Sequence, residues 1–100
     1  MNRVLLMILG SLLCSTPVVA GDGAGVFQKR CRTCHSVAGS GGPMAKMGGP
    51  LDGTGSRRDK AWLAEFLKNP KSQEPDSKMP AVRLTEEERD AVIEYMLSLK

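Results

Sequence analysis

The stretch that decides the fold of this chain is Cys31-Arg32-Thr33-Cys34-His35. In a helical turn, residues three positions apart lie on the same side, so the two thiols can reach one flat molecule together. His35 follows directly and is the only histidine among the 100 residues. Two attachment points beside an imidazole predict a covalently held group with a metal at its centre.

A C-x-x-C-H string is the attachment signature of a c-type haem, in which the thiols bond the vinyl groups and the histidine binds the iron. Three other interpretations compete with it. A thiol–disulfide pair normally sits near a βαβ pattern, which this sequence lacks. A zinc site needs a fourth ligand, and no other Cys or His follows residue 20. A structural disulfide would leave the position of His35 a coincidence. The sequence therefore predicts one haem c, attached through Cys31 and Cys34, with His35 on the iron.

The second iron ligand has to come from elsewhere in the chain. A second histidine is excluded, since His35 has no counterpart. A methionine sulfur is the usual alternative in an electron-transfer haem, and beyond residue 20 the chain offers Met44, Met47, Met79 and Met96. Met79 lies in a proline-punctuated segment, and Pro80 restricts its backbone to extended conformations. We predict that Met79 binds the iron, with a vacant or exchangeable sixth site as the alternative.

The first 20 residues have the layout of a secretory signal peptide. Arg3 precedes an almost unbroken apolar run over residues 4–13, and small residues lead to Ala20. This pattern predicts cleavage after Ala20 and export to the periplasm. The apolar run is short for a membrane span, so no stable membrane anchor is expected. Cys14 raises the alternative of a lipoprotein, although Leu13 stands where that processing favours a small residue.

The remaining domain, residues 21–100, is too small to be stabilised easily by an apolar core alone. A covalently held haem would supply much of that core. The formal charge of +3 falls by one when Arg3 leaves with the leader, and two haem propionates bring it to about zero. Nucleic-acid binding normally needs a concentrated basic face, so this balance argues against it.

Three helices are predicted in this domain. Asp22 can cap a short one over residues 22–30, and a second runs from Asp59 to Asn69, where Pro70 ends it. Thr85 and Glu88 form a capping box for the third, which has a broad apolar face. A glycine-rich loop covers residues 39–55, and no segment shows convincing strand alternation. The predicted class is all-α, with short helices and long loops.

Taken together, these residues resemble the class I cytochromes c, particularly the small bacterial ones. The resemblance covers residues 21–100. Its motifs are Gly23-x-x-x-Phe27-x-x-x-Cys31-x-x-Cys34-His35, Gly49-Pro50-Leu51, Phe66-Leu67-Lys68-Asn69-Pro70-Lys71, Lys78-Met79-Pro80 and Tyr95. It implies the all-α cytochrome c fold wrapped around one haem.

The resemblance also implies roles for single residues. The Pro50 carbonyl would accept a hydrogen bond from Nδ1 of His35 and so fix the orientation of the ring. Tyr95 would pack on the N-terminal helix near Gly23 and Phe27.

Two features depart from the family pattern. Phe66 stands where mitochondrial-type members have a tyrosine near the methionine sulfur, so that hydroxyl is missing. The family's propionate-binding tryptophan does not align, and Trp62 lies a few residues later. Arg57 or Arg58 is expected to contact a propionate instead. Trp62 is either a haem contact or a core residue.

The resemblance implies a monomeric one-electron carrier rather than an enzyme. Its partners would be redox proteins, namely an unidentified donor and a terminal oxidase or reductase. A catalytic or gas-binding haem protein is the alternative, as is a haem subunit of a dehydrogenase. Arg30, Lys71 and Lys78 resemble the cationic rim around the family's haem edge, and could equally be ordinary solvated charges.

Overall fold

The computed structural model describes residues 22–100, and the predicted leader (1–20) lies outside the described residues. The elements in chain order are α1 (Gly23–Arg30), β1 (Ser36–Val37), β2 (Ser40–Gly41), α2 (Ala45–Gly48), α3 (Thr54–Arg57), α4 (Lys60–Lys68), α5 (Pro70–Gln73) and α6 (Glu86–Leu97). Between residues 22 and 100, no helix combines the length and apolar character that a membrane crossing requires.

The crossing of α1 with α6 forms the centre of the core. Phe27 is 1% exposed, and its ring lies 5.7 Å from that of Tyr95, tilted by 45°. The two helices approach closely because Gly23 has no side chain. A Cβ there would lie 2.6 Å from the Tyr95 Cβ and would also collide with the Ala91 carbonyl oxygen. The expected packing of Tyr95 near Gly23 and Phe27 is therefore present.

Capping side chains set where α4 and α6 begin. The Asp59 carboxylate accepts a hydrogen bond from the Trp62 N–H, and α4 ends just before Pro70, as predicted. At α6, the Thr85 hydroxyl accepts from the Glu88 N–H, while the Glu88 carboxylate accepts from the Thr85 N–H. This second bond, together with the positive charges of Arg30 and Lys29, lowers the pKa of Glu88.

A two-stranded hairpin and three single-turn helices interrupt the predicted long loops. Strands β1 and β2 pair in antiparallel register, and the turn between them places both Ala38 (φ 50°) and Gly39 (φ 77°) in the left-handed region. Two-residue strands are too short for alternation to reveal. The other regular elements of the described residues are all helices, in agreement with the predicted all-α class.

Candidate functional site

A cavity of about 510 Å³ lies between the Cys31–His35 turn, α4 and the segment that leads into α6. Its volume falls within the range of about 300–1,000 Å³ typical of ligand pockets. The walls are mostly apolar and aromatic, and include Leu51, Trp62, Leu63, Phe66, Leu67 and Met96. Cys31, Cys34, His35 and Met79 line this one cavity. The structure thus brings together four of the five residues that the sequence predicts for the site.

The end of α1 positions the two thiols. Cys31 caps the helix, and its carbonyl accepts hydrogen bonds from the N–H groups of Cys34 (3.1 Å) and His35 (3.0 Å). This turn places both cysteines on the cavity, where Cys31 is buried and Cys34 half-buried, and no disulfide joins them. Burial raises the pKa of the Cys31 thiol to about 11. The unmodified thiol therefore stays protonated near neutral pH and is a weak nucleophile in the closed fold.

The hydrogen bond of the His35 ring differs from the expected one. Nδ1 lies 3.1 Å from the carbonyl oxygen of Gly49, not of Pro50. A carbonyl can only accept, so Nδ1 carries the proton and Nε2 is the nitrogen left with a lone pair for a metal. The acceptor is thus one residue before the predicted one, but it belongs to the same Gly49-Pro50-Leu51 segment.

The backbone around Pro50 explains the change of acceptor. Ser36 and Pro50 form a parallel bridge, in which the Ser36 N–H donates to Gly49 (3.4 Å) and the Leu51 N–H donates to Ser36 (2.8 Å). Successive carbonyls of an extended segment point in opposite directions. The Gly49 carbonyl therefore faces the chain at His35 and Ser36, and that of Pro50 faces away.

Met79 approaches the cavity from the segment after α5. Its backbone N–H donates to the Ser77 hydroxyl (3.2 Å), and the Val82 N–H donates to the Leu67 carbonyl (3.2 Å), which anchors the segment on the end of α4. Met79 is half-buried and packs against the hydrophobic core. Local hydrogen bonds thus hold the one cavity-lining methionine that lies outside the helices.

The other methionine candidates occupy different surroundings. Met96 is 4% exposed and forms part of the core on α6, although it also lines the cavity. Met47 lies at the cavity edge on α2 and is 74% exposed. Met44 is 45% exposed and is absent from the cavity wall. Burial and backbone context therefore separate Met79 from all three.

A stack of three planar side chains forms part of the cavity wall. The rings of Trp62 and Phe66 stack 4.8 Å apart at 12°, and the Arg58 guanidinium lies 4.0 Å from the centre of the Trp62 ring. Arg58 also pairs with Glu74 at 3.6 Å. This stack was not predicted from the sequence, although the spacing of four residues between positions 58, 62 and 66 is the signal that could have revealed it. Trp62 is both a cavity residue and a packing residue.

These residues suit a haem. Two thiols on one turn, a histidine with a fixed tautomer and a thioether sulfur form the donor set of a c-type haem. Arg57 and Arg58 line the cavity, where carboxylate substituents of the macrocycle could pair with their side chains. Among residues 22–100, no group of three or more His, Cys, Asp or Glu side chains is placed to hold a metal ion by itself.

Comparison with known proteins also supports a haem protein. The family model described as Cytochrome c matches residues 20–100. A relative named cytochrome c oxidase subunit 2, from Bacillus sp. (strain PS3), is 34% identical over 97 residues. That match covers 85% of this chain and 27% of the relative, so the chain spans about a quarter of the relative's length. No solved structure matches the chain significantly.

Proposed function

The chain belongs to the cytochrome c family, whose domains carry out haem-based electron transfer, and we propose that it is a periplasmic one-electron carrier with a His/Met-ligated haem c. One observation carries the proposal. Both thiols, His35 and Met79 line the same cavity, and other donors in that wall are either exposed or part of the core. When bound, the haem supplies an iron that cycles between the ferrous and ferric states.

The protein's part in this activity is to hold the group and to control its surroundings. Cys31 and Cys34 would tether the macrocycle, and His35, oriented by Gly49, would offer Nε2 to the iron. Met79 would offer its sulfur, and a thioether ligand raises the reduction potential. The apolar walls would keep water from the iron. Electron transfer needs no bond to be made or broken, so we assign the chain no catalytic residues and no enzyme activity of its own.

The proposed partners are redox proteins, with a terminal oxidase or reductase as the electron acceptor. The relative named as an oxidase subunit supports an oxidase in particular. Lys78 lines the cavity, and Lys71 lies exposed on α5 nearby in sequence. Arg30 lines a separate cleft with Lys68, Arg83 and Arg89. The cations expected around the haem edge are thus divided between two surfaces, and we propose Lys71 and Lys78 as the ones that guide docking.

The sequence pattern of residues 1–20 supports export to the periplasm, where c-type haem attachment by a C-x-x-C-H motif would follow cleavage of the leader. Mass spectrometry of the protein purified from its native host would measure both events. The expected mass is that of residues 21–100 plus one haem. A mass that includes the leader, or that lacks the haem, would contradict this part of the proposal.

Visible spectroscopy of the purified holoprotein tests the function most directly. Oxidised and reduced spectra, recorded with and without carbon monoxide, report the haem type, the spin state and whether the sixth site is occupied. We expect a low-spin haem whose ferrous spectrum does not change with carbon monoxide. Denaturation and acid–organic extraction should leave the colour on the polypeptide. Extractable haem would contradict the attachment, and rapid carbon monoxide binding would favour a gas-binding or catalytic protein with an open site.

A further inference from the structure

Gly48 lies directly against the ring of His35. A Cβ placed on Gly48 would lie 2.6 Å from Cε1 and 2.7 Å from Nδ1 of that ring, and would also collide with the Cys34 carbonyl oxygen. Carbon atoms in contact normally lie about 3.5–4.0 Å apart. At this position the ring therefore occupies the space that any other residue would need for its side chain.

Helix α2 fixes Gly48 in that place. The Gly48 N–H donates to the Cys34 carbonyl (2.9 Å), which ties the end of α2 to the C-x-x-C turn. The next residue, Gly49, accepts the hydrogen bond from Nδ1 of His35 at 3.1 Å. The ring is thus held between a backbone acceptor at Gly49 and the bare Cα of Gly48.

The two neighbouring glycines meet different needs. Gly49 has φ 78°, and a Cβ there would meet no atom within 4 Å, so glycine is needed at this position for its backbone conformation and not for space. Gly48 lies within helix α2, and glycine is needed there because the His35 ring occupies the space of a side chain. A side chain at Gly48 would have to displace both the His35 ring and the Cys34 carbonyl oxygen, since it would collide with each of them.

We propose that Gly48 is a positioning residue for the iron-binding imidazole, a role that rests on the proposed haem ligation by His35. Its bare Cα lets the ring lie against α2 and sets the rotation of the ring about its Cβ–Cγ bond. That rotation aligns Nδ1–H with the Gly49 carbonyl. In the holoprotein it would also set the direction of the imidazole plane, on which the electronic asymmetry of a ferric haem iron depends.

The wild-type holoprotein provides a test that needs no substitution. In the diamagnetic ferrous form, the nuclear Overhauser effect between Hε1 of His35 and the two α-protons of Gly48 reports their distance. The contact in the structure predicts an observable effect from the α-proton that faces the ring. Its absence in a holoprotein with intact methionine ligation would overturn the inference.

A pair of variants tests the consequence. Gly48→Ala should shift the haem methyl resonances of the ferric protein, because the imidazole plane turns, and should change the reduction potential. Gly39→Ala is the matched control. It strains a turn residue at φ 77° in the same loop, but its Cβ meets no atom within 4 Å. It should lower stability and leave the methyl pattern and the potential as in wild type.

The outcomes separate this inference from the proposed function. If Gly48→Ala keeps the wild-type methyl pattern and potential and loses only stability, Gly48 has a structural role and the positioning role is wrong. The same holds if both variants shift the methyl resonances alike. If the wild-type protein carries no covalent haem, the proposed function itself fails. Should Gly48→Ala not mature, the wild-type proton contact alone decides the matter.

Discussion

The three methionines of the cavity wall should respond differently to substitution by alanine. Met96 is 4% exposed in the core, and removing a buried methionine side chain costs about 2–5 kcal/mol. A domain of roughly 80 residues has a free energy of unfolding of about 4–12 kcal/mol, so Met96→Ala removes a large share of it. Met47 is 74% exposed, and Met47→Ala should change stability by no more than about 0.5 kcal/mol.

The order of the three variants should be different when the sixth coordination site of the iron is measured instead of stability. Met79→Ala should open the sixth site, so that carbon monoxide binds the ferrous protein and the reduction potential falls. Met96→Ala and Met47→Ala should leave that site closed. Stability and ligation are thereby separated, since the variant with the largest loss of stability is not the one that exposes the iron.

Two measurements on all three holoproteins check this reasoning. Urea titration gives the free energy of unfolding, and at a typical slope of about 1–3 kcal/mol per molar urea the Met96→Ala midpoint should fall by about 0.7–5 M. Spectra with carbon monoxide report the sixth site. Binding of carbon monoxide by folded Met96→Ala or Met47→Ala, with none by Met79→Ala, would refute the assignment of the ligand. An unchanged midpoint for Met96→Ala would refute its place in the core.

Three further variants test the cavity wall, the helix cap and the docking face. Phe66→Tyr should raise the reduction potential modestly, because a hydroxyl that donates a hydrogen bond to the Met79 sulfur reduces the electron donation from that sulfur to the iron. A lower or unchanged potential with methionine still bound would count against this. The pKa of Glu88 is lowered from its usual 4.5, so its contribution to stability is present above pH 4.5 and disappears as the pH falls through the lowered value. Urea midpoints between pH 7 and pH 3 should therefore fall more steeply for wild type than for Glu88→Gln, and parallel curves would argue against the cap. Electron-transfer rates with the native acceptor should fall as salt is added to wild type, and less so for Lys71→Gln/Lys78→Gln. Equal salt dependence in the two proteins would place docking elsewhere.

Local patterns in the sequence were enough to predict the attachment motif and the main helices. The Cys31–His35 string, the capping box at Thr85 and the helix stop at Pro70 each depend on residues a few positions apart. Such features depend only on residues that are close in sequence, so the sequence alone is enough to predict them. The match of the cytochrome c family model to residues 20–100 confirms the family and the all-α fold. The signal peptide stays a prediction.

The contacts around His35 depended on the tertiary structure. The acceptor of Nδ1 is Gly49 rather than Pro50 because a parallel bridge between distant segments decides which carbonyl faces the ring. The close approach of Gly48 to His35 also arises from the meeting of separate segments. A sequence predicts which residue types a site requires, but the direction of a single carbonyl depends on backbone pairing between segments far apart in the chain.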